Sequence, residues 1–394
     1  MLKKILVNKE IHPFGGFGTV YSARSEELCE RLLNEHEGKI QLIYLDPPFG
    51  TGGAFEFKDK SAVCAYTDNM RADDLVPMMK TILTACHKLL CASGSLYLHV
   101  DYRLSGRMRL IMDEIFGEDN FMNEIIWSYR SGGRSTKHFS RKHDNILFYR
   151  KSKNVYFNIE ATGSPRGSMR KNHMKRRADD DGRIYYSIKT GGKEYRYYED
   201  DLIFPSDVWD DIEHLHQRDP ERTGFNTQKP LALLKRVVSA SSERGDTVLD
   251  FFGGSGTTAA AAQQLGRRFI SCDSGLASLF ATRRRLIEAQ RETELFIEKQ
   301  PFTVEYADPE SSQRLANAEH LFDSEAAEDG RVLRINKNGD SGCAFCAVGK
   351  IENGIFSAYD YSVRPKSGET ILIPSGHALH IVNSSCEHGF FTLD

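Results

Sequence analysis

The chain has 394 residues, a formal net charge of −3 and 40% hydrophobic residues. These values indicate a folded, soluble chain with room for one large domain plus a small appendage, or for two domains. We find no run of about eighteen apolar residues, so we expect no membrane span, and residues 1–5 are not followed by the apolar segment of a signal peptide. The eight cysteines are scattered, which is typical of the reducing cytoplasm, where we expect the protein to be located.

Charge is distributed unevenly along the chain. Residues 129–200 contain 18 Lys and Arg against 8 Asp and Glu, whereas residues 304–394 contain 7 against 14. The near-neutral total therefore hides a basic middle region and an acidic tail.

Apolar periodicity predicts alternating strands and helices. Residues 12–20 are glycine-rich, and we expect a surface loop there, before the first helix. Residues 50–70 are expected to form a mobile loop. The strands are predicted at 42–45, 95–100, 125–129, 145–149, 247–252 and 269–273, and the helices at 25–35, 75–90, 104–116, 257–265 and 276–290, with a further helix opened by Lys229-Pro230. This alternation indicates an α/β fold with a parallel sheet.

An acidic corner follows the first of these strands. Two prolines, Pro47 and Pro48, end the apolar run and place Asp46 at the carboxyl end of a buried strand, where open α/β sheets bind ligands. The Asp46 carboxylate and the Pro47 carbonyl can each accept one N–H of a planar amine, while the Phe49 ring stacks on it. Asp-Pro-Pro is also an ordinary turn, and these four residues alone leave that alternative open.

A second constellation lies late in the chain. A strand ends at Asp250-Phe251-Phe252, the turn Gly253-Gly254-Ser255-Gly256 follows, and Thr257 begins a helix of small residues. Such a turn lets a ligand approach the backbone and the free N–H groups of the helix. Asp273, at the end of the next strand, is about 20 residues further on, the interval at which an acid binds ribose hydroxyls. A glycine turn in any α/β sheet remains the alternative.

The basic middle region interleaves cations with tyrosines and small polar residues. This composition suits contact with a phosphate backbone and exposed bases, although a solvated loop region is the alternative. The cations that we expect to bind DNA are Arg130, Arg134, Lys137, Arg141, Arg170, Lys171, Lys175, Arg176 and Arg177.

Taken together, these segments resemble the amino-methylating DNA methyltransferases that use S-adenosylmethionine, in the permuted order of their β group. Asp46-Pro47-Pro48-Phe49 is similar to the catalytic tetrapeptide, and Asp250 to Thr258 is similar to the segment that holds the methionine part of the cofactor. Thr227-Gln228-Lys229-Pro230 resembles the segment that meets the cofactor's carboxylate, and Asp273 falls at the ribose acid. The resemblance covers about residues 37–290.

The resemblance implies a Rossmann-like, seven-stranded methyltransferase sheet in residues 1–300, with a target-recognition insert at about 130–217. It also implies methyl transfer to the exocyclic N6 of an adenine flipped out of duplex DNA, because an aspartate heads the tetrapeptide. N4-cytosine is the alternative base, and a catalytically idle partner subunit is the alternative function. A homodimer mate or a restriction partner subunit is the expected protein partner.

The remainder of the chain matches no family that we recognise. Residues 301–330 are predicted to be an acidic linker, and an exposed helix is the alternative. Residues 331–394 are predicted to form a small β-rich module. Cys343, Cys346, Cys386 and His388 offer zinc-ligand chemistry, but their irregular spacing favours plain buried cysteines and no metal.

Overall fold

The computed structural model describes residues 2–13, 17–49, 54–58, 63–67, 72–130, 135–167, 174–291, 301–336, 342–363 and 365–393. The helices are α1 Ser25–His36, α2 Ala72–Leu89, α3 Ser105–Phe116, α4 Leu231–Ser241, α5 Thr257–Gln264, α6 Leu276–Arg291 and α7 Pro309–Ser312. The first strands are β1 Leu2–Ile5, β2 Lys9–His12, β3 Gly18–Ser22, β4 Ile40–Leu45, β5 Ala54–Lys58, β6 Val63–Thr67, β7 Leu90–Val100, β8 Phe121–Ser128 and β9 His143–Arg150. The next are β10 Ser164–Pro165, β11 Lys175–Ala178, β12 Ile184–Thr190, β13 Lys193–Tyr198, β14 Leu202–Ile203, β15 Val208–Trp209, β16 Thr247–Asp250 and β17 Arg268–Asp273. The last are β18 Phe302–Tyr306, β19 Phe322–Ala327, β20 Gly330–Ile335, β21 Cys343–Glu352, β22 Ile355–Val363, β23 Thr370–Pro374, β24 Ala378–Asn383 and β25 His388–Leu393.

Seven neighbouring strands form the centre of a large sheet in the order β3-β17-β16-β4-β7-β9-β8. All run in one direction except β9, which is antiparallel to both of its neighbours. Every residue of β4 is buried, as a parallel strand covered on both faces requires. The predicted α/β fold with a mainly parallel sheet is confirmed.

Helices cover the two faces of this sheet. Along β4, Leu42 and Tyr44 join a hydrophobic cluster that contains side chains of α4, α5 and α6. Ile43 and Leu45 join a second cluster, with side chains of α1, α2 and α3. The alternation follows from the two-residue period of a strand, and it explains why the apolar run is continuous.

Strand β3 begins inside the surface loop predicted at residues 12–20, and that prediction was wrong for residues 18–20. Gly18 lies so close to β17 that a Cβ atom there would be 2.4 Å from the carbonyl oxygen of Phe269. The glycine therefore permits two strands to pack closely, although in the sequence it reads as a turn signal. Residues 14–16 lie outside the described part of the chain.

The C-terminal strands extend the same sheet. β18 pairs in parallel with β3 and antiparallel with β2, and the order continues through β22, β21, β24, β25 and β1. The predicted β-rich strands are thus present. The predicted linker at 301–330 instead contains β18, α7 and β19, since Phe302, Val304 and Tyr306 are buried at alternate positions. The acidic composition further along this segment hid that alternation.

The basic middle region carries small sheets of its own. β11, β12 and β13 form one antiparallel sheet, β10 pairs with β14, and β15 joins the edge of the main sheet beside β8. Residues 50–70 were predicted to form a mobile loop. Within them, β5 and β6 form a hairpin, and residues 50–53, 59–62 and 68–70 lie outside the described residues. Among the helices described, none has both the length and the apolar character needed to cross a membrane.

Candidate active site

The acidic corner lies at the carboxyl end of β4. The Asp46 carboxylate is paired with the Lys229 ammonium, whose Nζ is 2.5 Å from Oδ2. The same ammonium lies 5.4 Å from the centre of the Phe49 ring. Both charged side chains are largely buried, with 11% of Lys229 and 18% of Asp46 exposed. A cation therefore lies next to both the carboxylate and the aromatic ring that the sequence predicted to bind a planar amine.

A network of hydrogen-bonded side chains packs against the acidic corner. The Phe49 ring stacks on His99, with centroids 6.3 Å apart. His99 Nδ1 lies 2.8 Å from the Tyr44 hydroxyl, and Nε2 lies 3.1 Å from Oδ2 of Asp144. Burial raises the pKa of Asp144, but the hydrogen bonds from His99 and Tyr129 and the charge of Lys229 contribute to a net lowering of this pKa. An ionised Asp144 fixes the His99 ring, and through it the position of Phe49.

Neither His99 nor Asp144 was among the predicted site residues. Both lie in segments that resembled the methyltransferase family, but neither has a partner close in sequence. The available signal was a histidine among the mainly apolar residues at the carboxyl end of β7, because a fully buried polar side chain requires a partner.

Asp250 ends β16, and each oxygen of its carboxylate accepts one hydrogen bond from a nearby donor. Phe252 N donates to Oδ1 at 2.8 Å, and the Thr258 hydroxyl donates to Oδ2 at 2.6 Å. Burial, together with the charges of Asp46 and Asp273, raises the pKa of Asp250 to about 7, although the hydrogen bonds from Thr258 and Phe252 oppose the increase. Asp250 thus joins the end of the strand to the first turn of α5.

The glycine turn is fixed by close contacts. Gly253 N donates to the carbonyl of Cys272 at 2.8 Å, and a Cβ atom on Gly253 would lie 2.3 Å from Ser271 Oγ. Gly256 has φ of 73° and faces Thr282. Both positions exclude other residues, the first by lack of space and the second by its left-handed backbone as well.

Asp273 receives backbone hydrogen bonds from both sides. Gly254 N donates to Oδ2 at 2.9 Å, and Gly275 N donates to Oδ1 at 2.8 Å. Burial nevertheless raises the pKa of Asp273, because it outweighs these donors. The carboxylate is thereby held rigidly at the carboxyl end of β17, next to the glycine turn.

One cavity of about 900 Å³ joins these pieces. The predicted site residues that line it are Asp46, Pro47, Pro48, Phe49, Thr227, Lys229, Asp250, Phe251, Phe252, Gly253, Gly254, Ser255, Thr257 and Asp273. Gly256 is at the start of α5, outside the lining. Gln228 is buried behind it, where its side-chain oxygen accepts hydrogen bonds from the backbone N and the hydroxyl of Thr223, each at 2.8 Å. Gln228 therefore shapes the segment that carries Lys229.

The predicted DNA-binding cations are divided between two places. Arg130, Lys137 and Arg141 lie in the connection between β8 and β9, which starts at the same sheet edge as Asp46 because β8 is parallel to β4. The Arg141 guanidinium donates to the Tyr102 hydroxyl at 2.7 Å. Lys175, Arg176 and Arg177 are exposed on β11, whereas Arg134, Arg170 and Lys171 lie outside the described residues.

The sequence's zinc alternative does not assemble in the described residues. Cys343, Cys346 and Cys386 are buried, but the group of metal-ligand side chains within 4.8 Å of one another consists of Glu10, His380 and His388, without a cysteine. Glu10 is already compensated by Arg283, whose Nη2 is 2.6 Å from Oε1.

Comparison with known proteins identifies the family of the chain. Residues 40–278 match a family model described as DNA methylase, which covers N6 and N4 methyltransferases. The chain is 30% identical over 300 residues to the type II methyltransferase M.EcaI of Enterobacter cloacae, covering 64% of this chain and 65% of that protein. It is 30% identical over 245 residues to the DNA adenine methyltransferase YhdJ of Escherichia coli K12, covering 59% and 71%.

A solved structure also aligns with the chain. The PvuII DNA methyltransferase, described as cytosine-N4-specific, has a TM-score of 0.47 and 16% identity, covering 72% of this chain and 89% of that one. The chain spans just under two thirds of the length of M.EcaI. The family model covers more than half of the chain and includes both the acidic corner and the glycine turn. The chain therefore belongs to the DNA amino-methyltransferase family.

Proposed function

We propose that this protein transfers a methyl group from S-adenosylmethionine to the exocyclic N6 of adenine in duplex DNA. The observation that carries the proposal is the shared cavity, because the acidic corner and the glycine turn open into the same space. A methyl donor held at the turn and an amine held at the corner would meet there, and catalysis by positioning requires this proximity.

The residues of the second constellation suit the cofactor. The glycine turn leaves room for a ligand against the backbone, and the Asp273 carboxylate is oriented by two N–H groups and can accept from ribose hydroxyls. S-adenosylmethionine supplies a methyl group on a sulfonium, which is a good leaving group. Thr227, Phe251 and the remaining lining residues enclose it and exclude water.

Asp46, Pro47 and Phe49 act on the target base. The Asp46 carboxylate and the Pro47 carbonyl accept the two N–H groups of the amine, which directs its lone pair towards the methyl carbon. The target must leave the duplex stack to reach the corner, and the Phe49 ring receives it. As the N–C bond forms, the S–C bond would break and leave a neutral thioether. The methylated nitrogen would then be positively charged, and its acidic proton would pass to solvent by way of the Asp46 carboxylate.

Lys229 changes partner in this scheme. Its ammonium occupies the amine position beside Asp46, so it must leave before a base can enter. The carboxylate of the bound cofactor offers it a second anionic partner, which is the role that the resemblance implies for its segment. Cofactor binding would thus open the base site.

Adenine is favoured over cytosine as the target. An aspartate heads the tetrapeptide, and the name of the relative YhdJ specifies adenine. N4-cytosine is the alternative within the class. A catalytically idle partner subunit is less well supported, because Asp46, both prolines and Phe49 line the cavity together.

The basic middle region is proposed as the DNA-recognition insert, at about 130–217. Its exposed cations, on β11 and between β8 and β9, would contact phosphates. A homodimer mate or a restriction partner subunit is proposed as the protein partner. Residues 1–300 are proposed as the methyltransferase domain, residues 301–330 as the connecting segment and residues 331–394 as the C-terminal module.

Nucleoside analysis tests the proposal. Purified protein, labelled S-adenosylmethionine and mixed-sequence duplex DNA are incubated, and the DNA is digested to nucleosides. N6-methyladenine is the expected product. N4-methylcytosine as the product would contradict adenine as the target base. Cofactor binding without any methylated DNA would contradict the claim that the chain methylates DNA without a partner.

A further inference from the structure

The cofactor cavity has one wall that lies outside the residues matched by the family model. Residues 307–314, named here the C-terminal wall, contribute Ala307, Asp308, Ser311, Ser312 and Arg314 to the lining. The family match ends at residue 278. This wall is therefore a feature that the family match does not account for.

Sheet topology sets the position of the C-terminal wall along the cavity. The strand order β4-β16-β17-β3-β18 brings to one edge Asp46, the glycine turn, Asp273, Ser22 and then Ala307. Neighbouring strands are about 4.8 Å apart, so β18 lies about 10 Å beyond β17. An adenine attached to a ribose held at Asp273 would extend over this distance, away from Asp46.

Hydrogen bonds join the wall to the strand beside it. Ala307 N donates to the carbonyl of Ser22 at 3.1 Å, and the hydroxyls of Ser22 and Ser312 are 3.2 Å apart. Ala23 N donates to the Asp273 carbonyl at 3.2 Å. The wall and Asp273 are thus connected through two residues.

Buried polar side chains anchor the wall before and after its exposed part. Before it, the hydroxyl of Tyr306 donates to the Glu10 carboxylate, which also accepts from Arg283 of α6 at 2.6 Å. After it, the buried side chain of Gln313 donates to the Val7 carbonyl at 2.5 Å and accepts from Val7 N at 3.1 Å. The polar side chains between these anchors are consequently presented to the cavity from a fixed backbone.

We propose that the C-terminal wall is the adenine-binding wall of the cofactor site, with Asp308 accepting the hydrogen bond of the adenine amine. The proposal rests on the proposed function, which supplies the cofactor. Ser311 already donates its backbone N to Asp308 Oδ1 at 3.2 Å, and its hydroxyl to Oδ2, and each carboxylate oxygen retains a second lone pair. Arg314 donates to the Ser311 carbonyl at 3.0 Å and supports the same turn.

Calorimetric titration of the full chain with two ligands tests this assignment. The ligands are S-adenosylhomocysteine and its inosine counterpart, which carries an oxygen instead of the amine. The wild-type protein should prefer the adenosine compound by about tenfold or more, since a hydrogen bond to a charged acceptor is lost. Asp308→Ser should lose this preference, while serine preserves the cap of α7.

Glu310→Ser is the matched control, because Glu310 is an exposed acid of the same helix that is not part of the cavity lining. It should retain the wild-type preference. Equal preference in wild-type and Asp308→Ser proteins would overturn the assignment while leaving the proposed function intact. A wild-type protein that bound neither ligand would contradict the proposed function itself, and the assignment with it.

Discussion

Asp250 gives the chain a stability that depends on pH. Its folded-state pKa is about 7, raised mainly by burial from an ordinary value of 3.8. The folded protein therefore binds this proton more tightly than the unfolded chain does. The resulting stabilisation is fully present below pH 3.8 and is lost as the pH rises through 7.

The size of the effect follows from the interval between the two pKa values. Each unit corresponds to about 1.4 kcal/mol, so ionising Asp250 in the folded state costs about 4 kcal/mol in total. About 3 kcal/mol of this cost falls between pH 5 and pH 8.5. Asp250→Asn resembles the protonated carboxyl, because its oxygen can still accept from Phe252 N and its NH₂ can donate to the Thr258 hydroxyl.

Urea denaturation of the ligand-free protein measures the difference. We expect the free energy of unfolding of Asp250→Asn, relative to wild type, to increase by about 3 kcal/mol from pH 5 to pH 8.5. Asp210→Asn, at an exposed position, serves as the control and should follow the wild type. Parallel curves for wild type and Asp250→Asn over this range would refute the reasoning, since Asp250 would then be ionised throughout.

Three further changes test the cavity. Gly253→Ala should weaken binding of S-adenosylhomocysteine at least tenfold, since the new Cβ would lie 2.3 Å from Ser271 Oγ. The second substitution Ser271→Ala removes that oxygen and should restore binding. Calorimetry that showed no rescue in the double variant would contradict the steric explanation. Lys229→Met should lower cofactor affinity at least tenfold in the same titration, because the cofactor's carboxylate loses its cationic partner, whereas Lys229→Arg keeps the charge and should be less affected; equal affinities of wild type and Lys229→Met would exclude Lys229 from the cofactor site. Phe49→Ala should reduce methyl transfer about tenfold or more without changing cofactor affinity, because base stacking contributes about 1–3 kcal/mol, whereas Phe49→Tyr should remain active; a change in cofactor affinity alone would place the ring elsewhere in the mechanism.

Local patterns predicted most of the core. The strand before Asp46 was recognisable because a strand buried on both faces needs a continuous apolar run, and prolines end it. The strand and helix on either side of the glycine turn were recognisable for similar reasons. These signals depend on neighbours in sequence, which a reader of the sequence can see.

What the sequence hid depends on distant partners. The start of β3 was interpreted as a loop because a glycine usually indicates a turn. Here the glycine, Gly18, is needed for close packing against Phe269, a residue far along the chain. The ion pair between Lys229 and Asp46 joins residues 183 positions apart. The hydrogen bond between His99 and Asp144 joins the neighbouring strands β7 and β9. Such contacts arise from the topology of the sheet, which periodicity alone does not fix.

The role of Asp46 is the central claim, and one comparison tests it most directly. Wild-type protein and Asp46→Ala are each saturated with labelled S-adenosylmethionine, cofactor binding is verified by calorimetry, and methyl transfer to duplex DNA is followed in a single turnover. We predict that Asp46→Ala binds the cofactor and loses transfer by at least a hundredfold, because the acceptor that orients the amine is removed. Transfer at the wild-type rate by Asp46→Ala would contradict the account.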